Sequence, residues 1–486
     1  MQNWSSKNKD STLPPPSPPP SKGGGEGRGM EQRSKTRMEP RKNGLLRGKV
    51  WKLYDYIQGE FYLNRPDQEI KGIPYNSALL MGLLTGLCQG KELIIGEPGL
   101  GKTTSAEYIG ALLYRLPMGT VWKSEVSGHP EQTEEKIIGR PDLGELNKGK
   151  EVVIWSYFAL LPVKIVDEIN RLPETKQSII LDGVDRGKWE YLDDAIINQE
   201  FCLFATANYQ DRGTNTIIAP LMDRFDVMVE SRHPGPNLAY QIGLQGANGQ
   251  ALRHETLEQA FHRSLSERLP YSARMEQVEA LCDRFGEILL EELGLQTLSS
   301  GDRQAIRAEK EKIPLDLDAN AFLRLVLSEL SFCYRFGQKR SHEVCEEGCH
   351  YTGYLCNAIQ NCSSNRFPIS VRTYSQALAW LLGNEMVDLE HLMAVLPFAL
   401  SHRIEWKEEA LASWGNEVRE DPLPIFMAKK AVSEMHRRYM EQAPQIKNAL
   451  SVACRITEGE ALEPIQGDHP IYWEISKDLA KEVLKA

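Results

Sequence analysis

The feature of the sequence that most restricts its fold is a glycine-rich loop between an apolar strand and a helix. The loop reads Gly96-x-x-x-x-Gly101-Lys102-Thr103 and follows the apolar residues 93–95. Glycines let the backbone curl so that successive N–H groups point at phosphate oxygens, and the helix that follows adds partial positive charge. Strand, loop and helix in this order predict a phosphate site rather than an ordinary tight turn. The residues predicted to bind the nucleotide are Gly96, Glu97, Pro98, Gly99, Leu100, Gly101, Lys102, Thr103 and Thr104.

A second apolar strand, residues 162–166, ends in two acids, Asp167 and Glu168. An apolar run of this kind is typical of a strand buried on both faces of a parallel sheet, whose carboxyl edge binds ligands. We expect Asp167 and the hydroxyl of Thr103 to serve a Mg²⁺ ion that accompanies the nucleotide. Glu168 is then placed to orient and deprotonate a water molecule, while Lys102 contacts the terminal phosphates. The alternative is a strand followed by a solvated acidic turn.

Two further polar residues are candidates because of the strands beside them. A third strand, residues 201–207, ends at Asn208, whose amide could fix the attacking water beside Glu168. Arg224 precedes a fifth short strand, residues 227–229. It could pair on the surface with Asp223 or Asp226, or it could reach the terminal phosphate of a neighbouring subunit.

These motifs, in this order, resemble the AAA+ ATPases and, within them, the MoxR branch. The resemblance covers residues 94–229 and 370–403, and its most specific part is the run 166–171, Val-Asp-Glu-Ile-Asn-Arg. It implies that Asn208 is the first sensor, that Arg224 is a finger acting in trans, and that Arg372 is the second sensor. A plain first-turn arginine on a packing helix is the alternative for Arg372, since residues 374–382 are predicted to form an apolar helix.

The resemblance also implies two hairpins. The sequence departs from the family's pattern at two places. A hairpin that grips the partner in the pore of a ring is expected within residues 128–161, and a second candidate covers 183–198, whose Arg186, Lys188 and Trp189 could instead form a solvated edge. The family usually has a proline after Asn208, where this chain has Tyr209. The lid is also interrupted by a long segment, residues 234–366.

The predicted fold is α/β: a five-stranded parallel sheet flanked by helices, followed by an α-helical lid with a Cys-rich insertion. We expect a disordered basic Pro/Gly-rich tail over residues 1–47 and a large nucleotide-binding domain over 48–233. The lid is expected over 234–410, with its Cys-rich segment at 342–362, and a helical extension over 411–486. Nucleotide should bind between the large domain and the lid.

Composition narrows the class of protein. The chain has 486 residues, 41% hydrophobic content and a mean hydropathy of −0.41, values typical of a globular protein. Its longest apolar run, 78–88, is too short to span a membrane and predicts a packed helix. The first fifty residues carry 11 Lys/Arg and 4 Asp/Glu in a chain of net charge −10. An extended linker is the favoured interpretation of this basic tail, with contacts to nucleic acid, a membrane surface or the acidic body left open.

Four of the nine cysteines fall within the eighteen residues 345–362. A structural Zn²⁺ could be held by Cys345, Cys349, His350 and Cys356, with Cys362 or His342 as a substitute. Unliganded thiols are the alternative, because the paired C-x-x-C pattern of common zinc modules is absent and a cytoplasmic protein keeps its thiols reduced.

The resemblance implies a cytoplasmic ATPase that hydrolyses ATP with Mg²⁺ in a homo-oligomeric ring, most simply a hexamer. Its work would be to remodel or mature a partner protein, such as one with a von Willebrand factor A domain. A nucleotide-switched scaffold with slow turnover and a nucleic-acid-directed motor are the rivals. The acidic body argues against duplex DNA as the main substrate.

Overall fold

A computed structural model of the protein describes residues 44–209, 215–245, 252–333, 338–339, 353–417 and 419–457. The predicted disordered tail therefore lies almost wholly outside the described residues. The strands are β1 Gln68–Ile70, β2 Ile73–Tyr75, β3 Lys91–Ile95, β4 Glu125–Ser127, β5 Gly139–Pro141, β6 Val153–Trp155, β7 Val163–Asp167, β8 Lys188–Tyr191, β9 Asp194–Ile197, β10 Cys202–Ala207, β11 Val227–Glu230, β12 Phe332–Cys333 and β13 Gln338–Lys339.

Helices account for most of the remaining described residues. They are α1 Leu45–Tyr56, α2 Ser77–Cys88, α3 Lys102–Tyr114, α4 Met118–Lys123, α5 Glu134–Ile137, α6 Leu143–Leu146, α7 Tyr157–Leu160, α8 Glu174–Arg186, α9 Ala219–Met222, α10 Pro236–Gln245, α11 Glu255–Ser266, α12 Tyr271–Leu293, α13 Ser300–Glu311, α14 Leu317–Ser331, α15 Leu355–Ala358, α16 Arg366–Leu382, α17 Leu389–Leu400, α18 Glu408–Trp414 and α19 Leu423–Thr457.

The central sheet has five parallel strands in the order β11-β3-β10-β7-β4, which confirms the predicted five-stranded parallel sheet. All six residues of β10, the middle strand, are buried, as expected for a strand covered by helices on both faces. Ala207 lies opposite Ile95, and Asp167 lies opposite Ser127. This register brings the loop after β3 and the ends of β7 and β10 to one edge of the sheet.

Helix α2 confirms the packed helix predicted over residues 78–88. All residues from Ser77 to Leu87 are buried, because a helix that is apolar all round must lie inside the protein. Asn76 begins it: its side chain accepts a hydrogen bond from the backbone N–H of Leu79 at 3.0 Å. The helix packs against β3, β10 and β11, and also against α3 and α16, so it joins the sheet to the lid.

In its described residues, the segment between β11 and lid helix α16 contributes α10 to α15 and the strands β12 and β13. Helix α13 packs on α2 and α16, and α14 packs on α17 and α19. The C-terminal extension, expected as helical stretches with polar breaks, is one helix over residues 423–457 that continues through Pro444.

The extents of two predicted elements were wrong. Helix α1 begins at Leu45, while the predicted tail bound at residue 47 stays a prediction. The lid helix begins at Arg366 rather than at Tyr374; Pro368 does not stop it, because in the first turn of a helix the missing N–H has no intrahelical partner to lose. The second hairpin, β8–β9, covers residues 188–197, not 183–198.

The interpretation of the second hairpin as a solvated edge was also wrong for Trp189. Its side chain is 1% exposed and packs on Gly183 of α8, where a Cβ atom would lie 2.3 Å from the indole ring. Gly183 is therefore a helical residue that makes room for the ring, rather than a turn residue. Lys188 is exposed, and Arg186 is the last residue of α8.

Candidate functional site

The glycine-rich loop and the acidic strand meet at one carboxylate. The Thr103 hydroxyl donates a hydrogen bond to Asp167 Oδ1 at 2.5 Å, and the Thr206 hydroxyl donates to the same oxygen at 2.7 Å. A hydroxyl and a carboxylate oxygen in contact are the hard oxygen ligands that Mg²⁺ prefers. The oxygens of Thr103 and Asp167 are therefore suited to serve as ligands of the Mg²⁺ ion that accompanies a nucleotide.

A chain of hydrogen bonds joins the other predicted residues. Lys102 Nζ donates to Asn208 Oδ1 at 2.8 Å, and the amide nitrogen of Asn208 donates to Glu168 Oε1 at 2.5 Å. Lys102 also donates to the carbonyl oxygens of Gly96 at 2.9 Å and Glu97 at 2.8 Å. Burial lowers the pKa of Lys102, and the charges of Asp167 and Glu168 oppose that change. The ammonium thus lies where it can meet phosphate oxygens.

The backbone of Glu168 is held in an uncommon conformation. Its φ is +51°, in the left-handed region that residues other than glycine rarely adopt, and its N–H donates to the Thr206 hydroxyl at 2.9 Å. Gly128 lies so close that a Cβ atom there would be 2.0 Å from the Glu168 carbonyl oxygen. Arg171 Nε lies 2.9 Å from Glu168 Oε2. Strained residues held by their surroundings are concentrated at functional sites.

Residues outside the motif support the phosphate loop. Gly96 has a φ of +150°, and a Cβ atom there would be 2.6 Å from the carbonyl oxygen of Ser231. The Ser231 hydroxyl donates to the carbonyl of Leu100 at 2.7 Å and lies 2.7 Å from the Tyr62 hydroxyl. The ring of Tyr62 lies 3.3 Å from the Cβ position of Gly101. The loop is therefore packed from behind by the residues after β11 and before β1.

A cavity of about 650 Å³ opens over the loop, a size within the usual range of small-molecule sites. Asp167, Glu168 and Asn208 line its floor together with residues 98–104. Its other walls were not predicted from the sequence, because no spacing marks them. These walls consist of Phe61, Tyr62, Leu63, Asn64, His233, Pro234, Ala239, Ile242 and Gly243.

The cavity lies between the α/β domain and the first helix of the segment predicted as lid. The last three of those wall residues belong to α10, the first helix after the α/β domain, whereas α16 contributes none to the cavity. The binding of nucleotide between the large domain and the lid stays a prediction.

The structure does not bring two predicted residues to this cavity. Arg224 Nε lies 2.8 Å from Asp185 Oδ1 on α8, so its surface partner is neither Asp223 nor Asp226. Arg372 is exposed on α16 and is not among the residues that line the cavity. The trans role of Arg224 and the sensor role of Arg372 stay predictions.

The residue that replaces the family's proline has a structural role. The Tyr209 hydroxyl donates to a carboxylate oxygen of Glu230, the last residue of β11. Burial and this carboxylate raise the pKa of Tyr209. The bond ties the loop after Asn208 to the neighbouring region of the sheet edge.

The predicted zinc site cannot be located. Cys345, Cys349, His350 and His342 lie outside the described residues, while Cys356 is buried and Cys362 is partly buried. Within the described ranges, no group of three His, Cys, Asp or Glu side chains is arranged to hold a metal ion. The zinc site has no support here and stays a prediction from spacing. Of the helices in those ranges, none has the length and apolar character needed to cross a membrane.

Comparison with known proteins agrees with this geometry. Residues 92–225 match the AAA domain of the dynein-related subfamily, and residues 358–423 match an AAA lid domain. A crystal structure described as that of a "putative ATPase" from Cytophaga hutchinsonii is similar in fold, with a TM-score of 0.51 and 18% identity over 84% of this chain and 98% of that one. Among curated proteins, no sequence matches. The chain therefore contains an AAA domain, followed by an AAA lid domain.

Proposed function

We propose that this protein hydrolyses ATP to ADP and phosphate with Mg²⁺, as a MoxR-type AAA+ ATPase in a homo-oligomeric ring. The observation that carries the proposal is the shared carboxylate at the floor of the cavity. Asp167 accepts a hydrogen bond from the Thr103 hydroxyl. Beside it, one chain of hydrogen bonds joins Lys102, Asn208 and Glu168.

Each of these residues has a part in the reaction. Thr103 and Asp167 would hold Mg²⁺, which supplies neutralising charge to the β- and γ-phosphates. Lys102 places a further positive charge there. Asn208 holds Glu168, which accepts a proton from the attacking water. The water oxygen forms a bond to the γ-phosphorus as the bond from that phosphorus to the β-phosphate oxygen breaks, and ADP leaves.

The ring is proposed because Arg224, which the resemblance makes a finger acting in trans, does not line the cavity of its own chain. It lies beside α8, with Nε 2.8 Å from Asp185 Oδ1. Supplied by a neighbouring copy, such an arginine neutralises charge on the terminal phosphate in the transition state. The resemblance favours six subunits.

The output of hydrolysis is proposed by analogy with the MoxR branch: remodelling of a cytoplasmic partner, such as a protein with a von Willebrand factor A domain. Two hairpins, β5–β6 and β8–β9, are the surfaces proposed to contact it. Support comes from apolar side chains that are exposed at the hairpins, Leu192 at 51% and Ile197 at 60%, and from Leu143 at 68% on α6. The proposed remodelling of a partner protein rests on the similarity of fold to the MoxR branch.

The test compares turnover and ATP binding in the wild type, Glu168→Gln and Lys102→Ala. We expect wild-type hydrolysis, loss of hydrolysis with retained ATP binding in Glu168→Gln, and weakened ATP binding in Lys102→Ala. Equal, near-zero turnover in the wild type and Glu168→Gln, under conditions where rings form, would instead identify a nucleotide-switched scaffold. Strong stimulation by single- or double-stranded nucleic acid would identify a motor.

A further inference from the structure

The guanidinium of Arg224 is held on two sides by its own chain. Its Nε donates to Asp185 Oδ1 at 2.8 Å, and its Nη1 donates to the carbonyl oxygen of Pro220 at 3.1 Å. Within the described part of the chain, no protein atom accepts a hydrogen bond from Nη2. The side chain is 19% exposed, so most of it is fixed while one N–H edge stays available.

A second arginine shares the same carboxylate. Arg366, the first residue of α16, places Nη2 3.1 Å from Asp185 Oδ1 and Nη1 3.2 Å from Asp223 Oδ2. A cation in the first turn of a helix opposes the helix dipole, so Arg366 is stable there because of the two carboxylates. The hydrogen bond from Arg224, with a smaller contribution from Arg366, holds the pKa of Asp185 below its ordinary value. The carboxylate therefore stays ionised and keeps both arginines.

The backbone beside Arg224 is also held by the lid. Arg403 Nη2 and His402 Nε2 lie 2.5 and 2.8 Å from the carbonyl oxygen of Phe225. The Ser370 hydroxyl donates to Asp226 Oδ1 at 2.6 Å. Since the Phe225 side chain is fully buried, the main chain at Arg224 cannot shift relative to the lid without breaking these contacts.

We propose that Asp185 and Arg366 are positioning residues that fix Arg224 for the terminal phosphate bound by a neighbouring copy of the chain. Asp185 sets the direction of the guanidinium, and Arg366 ties Asp185 to the first turn of the lid helix. The lid of one subunit and the arginine it offers to the next subunit then move as one body. This inference rests on the proposed function, in which Arg224 acts in trans.

The expected effect is on turnover rather than on ATP binding. An arginine supplied in trans is worth about 10³- to 10⁵-fold in rate, and misplacement of a reacting group by about 1 Å can cost about 100-fold. We expect Asp185→Asn and Arg366→Met each to lower kcat by about 10- to 100-fold, with KM for MgATP within about twofold of the wild type. KM should change little, because these substitutions leave every residue that lines the chain's own cavity unchanged.

Asp182 provides the matched control, because it is exposed on the same helix α8 and its side chain makes no hydrogen bond or ion pair with the described part of the chain. Asp182→Asn should behave as the wild type. If Asp185→Asn keeps wild-type kcat while Arg224→Ala loses it, the positioning role is wrong and the trans arginine stands. If Arg224→Ala itself keeps wild-type kcat, the trans role in the proposed function is wrong. If Glu168→Gln keeps wild-type turnover, the proposed hydrolytic site is wrong.

Mixed assemblies separate positioning from a folding defect. A ring that mixes Asp185→Asn with Glu168→Gln chains contains interfaces where an intact Glu168 meets an intact Asp185–Arg224 pair on the neighbour. We expect the mixture to hydrolyse ATP faster than the sum of the two separate variants. Mixed rings seen by native mass spectrometry with no gain in activity would overturn the proposal, because a positioning residue acting across the interface must be complemented.

Discussion

Glu92 offers a test of how burial in the central sheet controls stability. It is the second residue of β3, its side chain is fully buried, and in the described part of the chain neither carboxylate oxygen has a well-formed hydrogen bond. Burial raises the pKa of Glu92 well above its ordinary value of 4.5. The folded protein therefore keeps this carboxyl group protonated at pH values where the unfolded chain has released the proton.

The direction in which the free energy of unfolding changes with pH follows from proton binding. Stability from this group is fully present below the unfolded pKa and is lost as pH rises toward the folded pKa, because only the folded state still binds the proton. Each pH unit in this window costs about 1.4 kcal/mol. The loss begins above the ordinary pKa of 4.5 and grows toward the raised folded pKa, and even one pH unit of it is a sizeable share of the stability of a typical domain.

The perturbation is Glu92→Gln, which removes the titration while keeping the shape of the side chain. We expect the free energy of unfolding in urea, measured at pH 5.5, 6.5 and 7.5, to fall with pH more steeply in the wild type than in the variant, with a difference in slope of at most about 1.4 kcal/mol per pH unit. A buried amide adds an offset that does not depend on pH, so the slope is the readout. Glu131→Gln, at an exposed position, should keep the wild-type slope. Parallel lines for the wild type and Glu92→Gln would refute the reasoning.

Three other predictions concern stability and metal content. Arg438→Met should lower the free energy of unfolding by about 3–5 kcal/mol, because it leaves the buried Glu329 carboxylate without the guanidinium that lies 2.6 and 2.8 Å from its two oxygens. Gly183→Ala should cost about 1–3 kcal/mol in the same measurement, since its Cβ would overlap the buried Trp189 ring. If the cysteine-rich segment binds zinc as its spacing predicts, metal analysis should find about one zinc per wild-type chain and a large loss in Cys349→Ser.

Controls sharpen each of these outcomes. Glu329→Gln combined with Arg438→Met should recover part of the lost stability, because it removes the uncompensated charge, and a double variant as unstable as the sum would contradict this account. Gly48→Ala in α1, where a Cβ meets no atom within 4 Å, should stabilise the protein by about 0.5–1 kcal/mol. Absence of zinc from both the wild type and Cys349→Ser would show unliganded thiols, and equal zinc content in the two would show that Cys349 is not needed to hold the metal.

The sheet and the floor of the site were predictable because their signals are local. Residues 93–95, 163–166 and 202–207 are short, mainly apolar runs; the first leads into the glycine-rich loop, and the other two are followed directly by Asp167 and Asn208. Parallel strands place their carboxyl ends at one edge, so strand order alone brings Lys102, Asp167 and Asn208 together.

The parts that were missed depend on contacts between distant residues. The aromatic Tyr62 joins the cavity because Ser231, far along the chain, bonds its hydroxyl. Gly183 reads as a turn residue until Trp189 is seen against it. Arg366 has no motif of its own; its importance comes from Asp185 and Asp223, two carboxylates that only the folded lid brings within reach.

The hydroxyl oxygens of Ser331 and Ser363 lie 3.2 Å apart, so the chain returns to the end of α14 after 32 residues. Residues 353–363 are part of the packed structure: the backbone N–H of Leu355 donates to Glu329, and the side chains of Leu355 and Cys356 are buried. Closing a loop whose ends are already near each other costs little extra entropy as the loop lengthens. A change in chain length between residues 339 and 353 should therefore cost the fold little, which makes this the place where an engineer can insert a tag or another module.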